Sequence, residues 1–291
     1  KQMVNLRLKR ANLLGYDNHA AYILEENMAK NSDNVYDLLT QIWKPALKKA
    51  KRERADMQAM IDAEGHSFEL QPWDWWYYAE KVKKQKYDLD EESLKPYFQL
   101  ENVRKGAFMV ANKLWGITFE ERTDIPVYHP DVTVFEVKEE DGTHIGIYFT
   151  DYFPRASKRG GAWMSSYRKQ YRVDDQKVTP IITNVGNFTK PTAGEPSLLR
   201  WEEVETLFHE FGHALHGLLS DRTYRSLTGT SVPRDFVELP SQIMENWASE
   251  PQVLKMYARH YETGEPIPDE LIQKIRNSSK FNQGFVNVEK V

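Results

Sequence analysis

Residues 198–217 read LLRWEEVETLFHEFGHALHG, and the stretch has the period of a helix. Val204, Phe208, Phe211, Leu215 and Leu218 recur at helical spacing and predict a core-facing stripe. His209, His213 and His216 fall on an adjacent stripe. Glu202, Glu203 and Glu205 occupy the opening turns, where the helix dipole favours carboxylates. Residues i and i+4 stand one above the other on a helix, so His209 and His213 can reach one cation. Glu210 lies about a hundred degrees round the helix from His209, placed to hold a water beside that cation without ligating it. The run HEFGH, residues 209–213, therefore carries the donor pattern that zinc-dependent peptide hydrolysis uses. For a lone histidine, a hydrogen bond to a neighbour is the better reading. For this pair with its glutamate, a metal site is.

A catalytic zinc site takes three protein ligands and keeps one position open. The pattern HExxHxxGxxH would put a third histidine at 219 and a glycine at 216, where this chain has Leu219 and His216. The thermolysin-like register reaches Val232 and fails too. A glutamate from a second helix remains, with Asp235, Glu238, Glu245 and Glu250 as candidates. Pro233 predicts the start of that helix, since proline is tolerated in a first turn. Phe236, Leu239, Ile243 and Trp247 then form an apolar face, and Asp235, Glu238, Gln242 and Glu245 a polar one with Glu238 at its centre. Periodicity leaves Glu238 and Glu245 both open. Glu205, Asp235 and Glu245 are the carboxylates that could orient a ligating imidazole, unranked by sequence.

The chain contains no cysteine, which excludes disulfides and thiolate ligands, so a metal here must use imidazole and carboxylate. A net charge of −4 with 28% charged residues gives no pull toward nucleic acid or anionic membrane. No apolar run approaches the span of a bilayer, and no signal peptide is visible. The absence of cysteine fits a reducing cytoplasm and many periplasmic proteins as well, and a monomer is expected.

Three regions follow from the pattern: residues 1–126 helical, 127–190 rich in strands, and 191–291 helical again around the HEFGH run, all parts of one domain. In the first, Ser32 or Asp33 could cap a long helix running to Met60 and closed by Glu64, Gly65 and His66, with Pro45 expected to bend it. Its basic run from Lys44 to Arg54 reads as a solvated face. The aromatic cluster at 73–78 begins another helix and reads as a packing hub. In the second region, VTVFEV (132–137) and HIGIYF (144–149) predict a hairpin turning at Glu140, Asp141, Gly142 and Thr143, and PIITNV (180–185) a third strand. The strand ending near Asn187, or the adjoining Gly160-Gly161 loop, is expected to pair with an extended peptide. Ser197 is expected to cap the HEFGH helix, with helices continuing to Ser279 apart from a break at Gly264, Glu265 and Pro266. His19, His66, His129 and His144 read as structural. The fold class is mainly α with a small, mostly antiparallel sheet.

The stretch 198–217, with Gly229-Thr230 and RDFVELPSQ at 234–242, resembles the thimet oligopeptidase (M3) family of zinc peptidases. KRGGAW (158–163), TNVGNF (183–188), YARHY (257–261), PDEL (268–271) and NQG (282–284) extend the likeness through most of the chain, toward the bacterial peptidyl-dipeptidase branch. The resemblance implies a zincin-like core of the gluzincin kind. It implies one Zn2+ per chain held by His209, His213 and Glu238, Glu210 as general base, and short peptides as substrates. It further implies removal of C-terminal dipeptides, with endo-cleavage as the alternative. Lys1 begins inside a helical pattern and Val291 ends in mid-pattern, so the resemblance implies a central piece of a longer enzyme. Such a piece could also be an inactive scaffold binding zinc or peptides.

Overall fold

The structure is a computed structural model that describes residues 1–88, 91–191 and 194–290, of Lys290 only the backbone; Val291 lies outside these. In chain order come the helices α1 (Gln2–Leu13), α2 (His19–Leu24), α3 (Ser32–Ala63), α4 (Trp75–Tyr87), α5 (Glu91–Leu94) and α6 (Leu100–Trp115). The strands follow: β1 (Thr118–Glu121), β2 (Thr133–Lys138), β3 (His144–Asp151), β4 (Trp163–Arg168), β5 (Tyr171–Val173), β6 (Gln176–Val178) and β7 (Ile181–Val185). Helices return as α7 (Trp201–Leu218), α8 (Leu239–Ala248), α9 (Pro251–Tyr257), α10 (Asp269–Ser278) and α11 (Gln283–Lys290). The chain divides into two compact units, one of residues 1–89 with 274–291 and one of residues 90–273.

In the first unit, α3 continues unbroken through Pro45. Its cap is neither Ser32 nor Asp33 but Asn31, whose extended backbone lets its side chain accept from the Asn34 N–H at 2.9 Å. Gly65 at φ +80 closes the helix as expected. The 73–78 cluster splits by face: Trp75 and Tyr78 are buried with Met57, Ile61 and Val82, while Trp73, Trp76 and Tyr77 are exposed. Trp75 stacks on Phe285 with ring centroids 4.2 Å apart and donates to Asn282. Buried Glu53 accepts the Gly284 and Phe285 N–H groups, capping α11 from within α3.

The second unit is built on a five-stranded sheet of order β1-β2-β3-β7-β4. Three pairings are antiparallel and one, β3 with β7, is parallel. The β2–β3 hairpin turns where expected, with Gly142 at φ +86 and Asp141 accepting the Thr143 N–H. β1, β4 and the β5–β6 hairpin are strands that the sequence pattern does not predict. The last has its own signal: Asp174 and Asp175 both take positive φ, as a two-residue turn demands. A more consequential correction concerns β7. It lies inside the sheet between β3 and β4, so it has no free edge for a peptide; β4 is the edge strand on that side and β1 on the other.

One face of the sheet carries Val134 and Phe149, packed with Val132. The other presents Phe135, Tyr148 and Ile182 to the helices. Phe108 of α6 stacks on Phe119 at 4.0 Å, and Phe211 of α7 meets Phe108, Phe119 and Tyr148 at 5.6 to 6.0 Å. The whole predicted stripe of α7 is buried, so the aromatic core fixes the rotation of this helix.

Ser197 does not cap α7; its hydroxyl donates to the Thr189 carbonyl, and the N-cap is Arg200. Buried Glu203 instead accepts from the Arg200 N–H at 2.8 Å and from the Thr189 N–H at 2.9 Å. Replacing Glu203 by Ala strands these two N–H donors and removes the acceptor of the Thr189 hydroxyl, so thermal unfolding should show a loss of about 1–3 kcal/mol. A melting curve matching the parent would show that these N–H groups find water instead.

Candidate metal centre

On α7 the imidazoles of His209 and His213 lie with centroids 4.9 Å apart. They point away from the aromatic core because the buried stripe lies on the neighbouring face. The third partner comes from α8. Pro233 does not start this helix: residues 234–238 form turns, and α8 begins at Leu239 with Glu238 as N-cap. The segment 219–238 is not helical apart from a 3-10 turn at Arg225–Leu227. The predicted apolar face is also turned outward, with Leu239 and Ile243 exposed, while Ser241, Met244 and Ala248 are buried.

Gly212 explains the closeness of the two helices. A Cβ there would lie 2.6 Å from Ser241 Cα and 2.7 Å from the Pro240 carbonyl oxygen. Only glycine lets these backbones touch. Glu238, two residues before Pro240, is thereby set against both histidines. Its Oε2 lies 3.2 Å from His209 Nε2 and 3.0 Å from His213 Nε2. One donor atom each from His209, His213 and Glu238 lies within 4.8 Å of the others. Donors about 2.0–2.1 Å from a shared tetrahedral ion stand about 3.3 Å apart, so this nitrogen and oxygen set fits a metal ion. Asp235 and Glu250 are not in the group.

The surroundings prepare these atoms for ligation. Glu245 Oε1 meets His209 Nδ1 at 2.5 Å, which fixes the ring and leaves Nε2 for the cation. Of the carboxylates left unranked by the sequence, Glu245 is one that meets an imidazole of the group. Ser241 donates to Glu238 Oε2 at 2.9 Å. Burial opposes ionisation of Glu238, but the Ser241 hydroxyl and the two imidazoles outweigh it and hold its pKa below the ordinary value. Burial lowers the pKa of His213, favouring the neutral imidazole that can ligate. His213 Nδ1 has no hydrogen-bond partner among the described residues.

Glu210 is only 8% exposed, and its Oε2 has no partner among the described residues. Burial raises its pKa to about 7, with His209 opposing and Glu238 reinforcing the shift. Asn184 of β7 donates to the Glu210 carbonyl at 2.7 Å and accepts from buried Tyr148, tying α7 to the sheet. A cleft of about 400 Å³ joins His209, Glu210, His213 and Glu238 to Trp163 and Met164 of β4. A second cleft, of about 430 Å³, runs from Ala162 along Glu202, Glu205 and Glu245. Ala162 borders both, so the leading end of β4 overhangs the histidines.

His216 faces away from the group, edge-on to Phe236. His260 stacks on Tyr261 and accepts from the Glu262 N–H, a structural role. His129 and His144 pair with Asp131 and Glu136.

The model of Peptidase family M3 matches residues 1–291. The chain belongs to this family. It is 49% identical over 286 residues to Dipeptidyl carboxypeptidase of Escherichia coli K12, covering 98% of this chain and 42% of that protein. It is 43% identical over 277 residues to Oligopeptidase A of the same organism, covering 94% and 41%. Organellar oligopeptidase A of Arabidopsis thaliana is 36% identical over 299 residues, covering 100% and 38%. The chain thus spans about two fifths of the length of these family M3 relatives. Among its described residues no helix is long and apolar enough to cross a membrane.

Two outcomes follow. Gly212→Ala forces the α8 backbone away, which should cost about 1–3 kcal/mol and weaken metal binding, measured by unfolding and by metal titration. The raised pKa of Glu210 means the metal-free folded state holds a proton that the unfolded state releases. Its penalty is absent below about pH 4.5, grows as pH rises, and is complete above about pH 7. Glu210→Gln should therefore gain stability over the parent between pH 5 and 8 in chelator. A pH-independent difference would contradict the burial of this carboxyl.

Proposed function

We propose that the chain carries the catalytic centre of a zinc-dependent peptidase, a gluzincin-type site acting on short peptides. His209, His213 and Glu238 would hold one zinc ion, and Glu210 would serve as general base. The observation that supports this most is the convergence of three donor atoms, within 4.8 Å, beside a buried glutamate whose Oε2 is unpartnered in the same cleft.

Bound zinc supplies Lewis acidity, polarising the peptide carbonyl and making a water acidic enough to lose a proton near neutral pH. Glu210 Oε2 takes that proton as the water oxygen bonds to the carbonyl carbon. As the C–N bond breaks, Glu210 returns the proton to the departing amine. Glu245 and Ser241 hold the ligands still. The leading end of β4 offers an extended peptide a strand to pair with, over Glu210.

Release of C-terminal dipeptides is the reading favoured by the 49% identity to Dipeptidyl carboxypeptidase. Internal cleavage of short peptides is the second reading, favoured by the Oligopeptidase A relatives at 43%. Peptides blocked as C-terminal amides separate the two, since only the internal cutter is indifferent to the block.

Zinc content and peptide turnover, measured side by side, test the site. Glu238→Ala should lose zinc. Glu245→Ala should keep it with affinity weakened about 10–100-fold. Glu210→Gln should keep full zinc while hydrolysis falls by about a hundredfold or more. Zinc lost from Glu210→Gln would refute the division between base and ligands.

A further inference from the structure

The segment between β3 and β4 decides where Ala162 and Trp163 lie, and it is tied down by buried polar groups that the chemistry above does not use. Asp151, at the end of β3, is 1% exposed. It receives a two-pronged contact from Arg155, at 2.7 and 2.8 Å, and the Tyr128 hydroxyl at 3.0 Å. Lys158 adds its ammonium to the same carboxylate at 3.1 Å. That lysine side chain is only 3% exposed. Its ammonium also donates to the carbonyls of Asp151 at 2.9 Å and Phe153 at 2.7 Å, and to that of Gly186 just after β7.

A buried ammonium is costly unless its donors are all met, and here carbonyls from both sides of the loop meet them. The second tether is Asn187. Its side-chain NH2 donates to the Arg159 carbonyl at 2.8 Å and the Gly161 carbonyl at 2.7 Å, spending both donors on the loop. Gly161 at φ +87 then turns the chain into Ala162 and β4. The Arg159 guanidinium lies over the Trp163 ring, 5.7 Å from its centroid. The loop of residues 158–161 is thus clamped to the exit of β7 at two points immediately before the residue that borders both clefts.

We propose that Lys158 and Asn187 are positioning residues for the peptide substrate: they hold the 158–161 loop so that the leading edge of β4 stands at pairing distance over Glu210 and the metal ligands. This rests on the reading of the site as a zinc peptidase. Strand pairing draws its affinity from main-chain hydrogen bonds, so it demands a backbone template that is rigid before the ligand arrives. A freed loop would have to be ordered on binding. The tethers touch neither metal ligand nor base, so their loss should appear in peptide binding while the metal centre is kept.

The test uses the zinc-loaded chain carrying Glu210→Gln, titrated calorimetrically with N-acetyl-tetraalanine, a probe that offers almost nothing but main chain. Adding Asn187→Asp keeps the shape of the side chain and removes its donors. Binding should weaken about ten-fold, with zinc content unchanged and faster amide exchange at residues 160–163. Asn187→Gln, which restores an NH2, should recover part of the affinity. If Asn187→Asp binds the peptide as tightly as its parent, the clamp has only a structural role and the zinc peptidase reading stands. Zinc absent from the parent would instead remove that reading, and the proposal with it.

Discussion

Everything in the candidate metal centre depends on one backbone contact, the approach of Pro240 and Ser241 to Gly212. Two of the three donor groups come from a single helix and need no help, because a spacing of four places them together. The third must come from elsewhere in the chain and arrive to within a fraction of an ångström. Packing of side chain on side chain rarely gives that precision, since rotamers can yield. Contact of backbone on backbone leaves nothing to yield. Gly212 lies between the two histidines in sequence, so the point of closest approach is also the point where the ligands meet. Ser241 and Glu245 extend the same contact along α8, one holding Glu238 and the other His209.

The electrostatics pull against this packing. Glu238 stands against both imidazoles, Glu245 meets that of His209, and Glu210, in the same cleft as Glu238, is almost wholly buried. In the metal-free chain burial wins at Glu210 and raises its pKa. At Glu238 the Ser241 hydroxyl and the imidazoles win and lower it. Two carboxyls on adjoining elements are thus driven in opposite directions, one toward carrying protons and one toward binding a cation. The stability lost in this arrangement is met by the apolar half of α7, whose contacts with Phe108, Phe119 and Tyr148 take no part in the chemistry.

What was legible in the sequence was what repeats locally. The buried stripe of α7, the β2–β3 hairpin and the closure of α3 at Gly65 each follow from a period or a turn residue a few positions wide. What was not legible depended on partners distant in sequence. β4 reads WMSSYR, with polar residues at its centre, because an edge strand needs little apolar surface; nothing in those six residues announces that they flank His209. β7 is apolar enough to be recognised as a strand, but its neighbours on both sides are a matter of topology. The start of α8 was misplaced because proline is permitted in many turns, and Pro233 stands before a turn that only later becomes a helix. Glu238 and Glu245 were inseparable by periodicity for a physical reason: both do face the histidines, one toward Nε2 and the other toward Nδ1.

An exposed sheet edge is a hazard, and the way this one is limited bears on its use. The pairing of β4 with β7 shifts register between Ser166 and Arg168, leaving Tyr167 as the extra residue. Such a bulge bends the strand and spoils it as a template from that point onward. Arg168 then turns its guanidinium back to the Thr179 carbonyl at 2.7 Å, closing the far end. Only the stretch from Trp163 to Ser166 pairs in regular register. That is the stretch beside Glu210 and His209, fed by a loop clamped through Lys158 and Asn187. A strand free to pair along its whole length would recruit other chains. One that bends after its first few residues keeps only a short open edge, which is all that the proposed pairing with a short extended peptide requires.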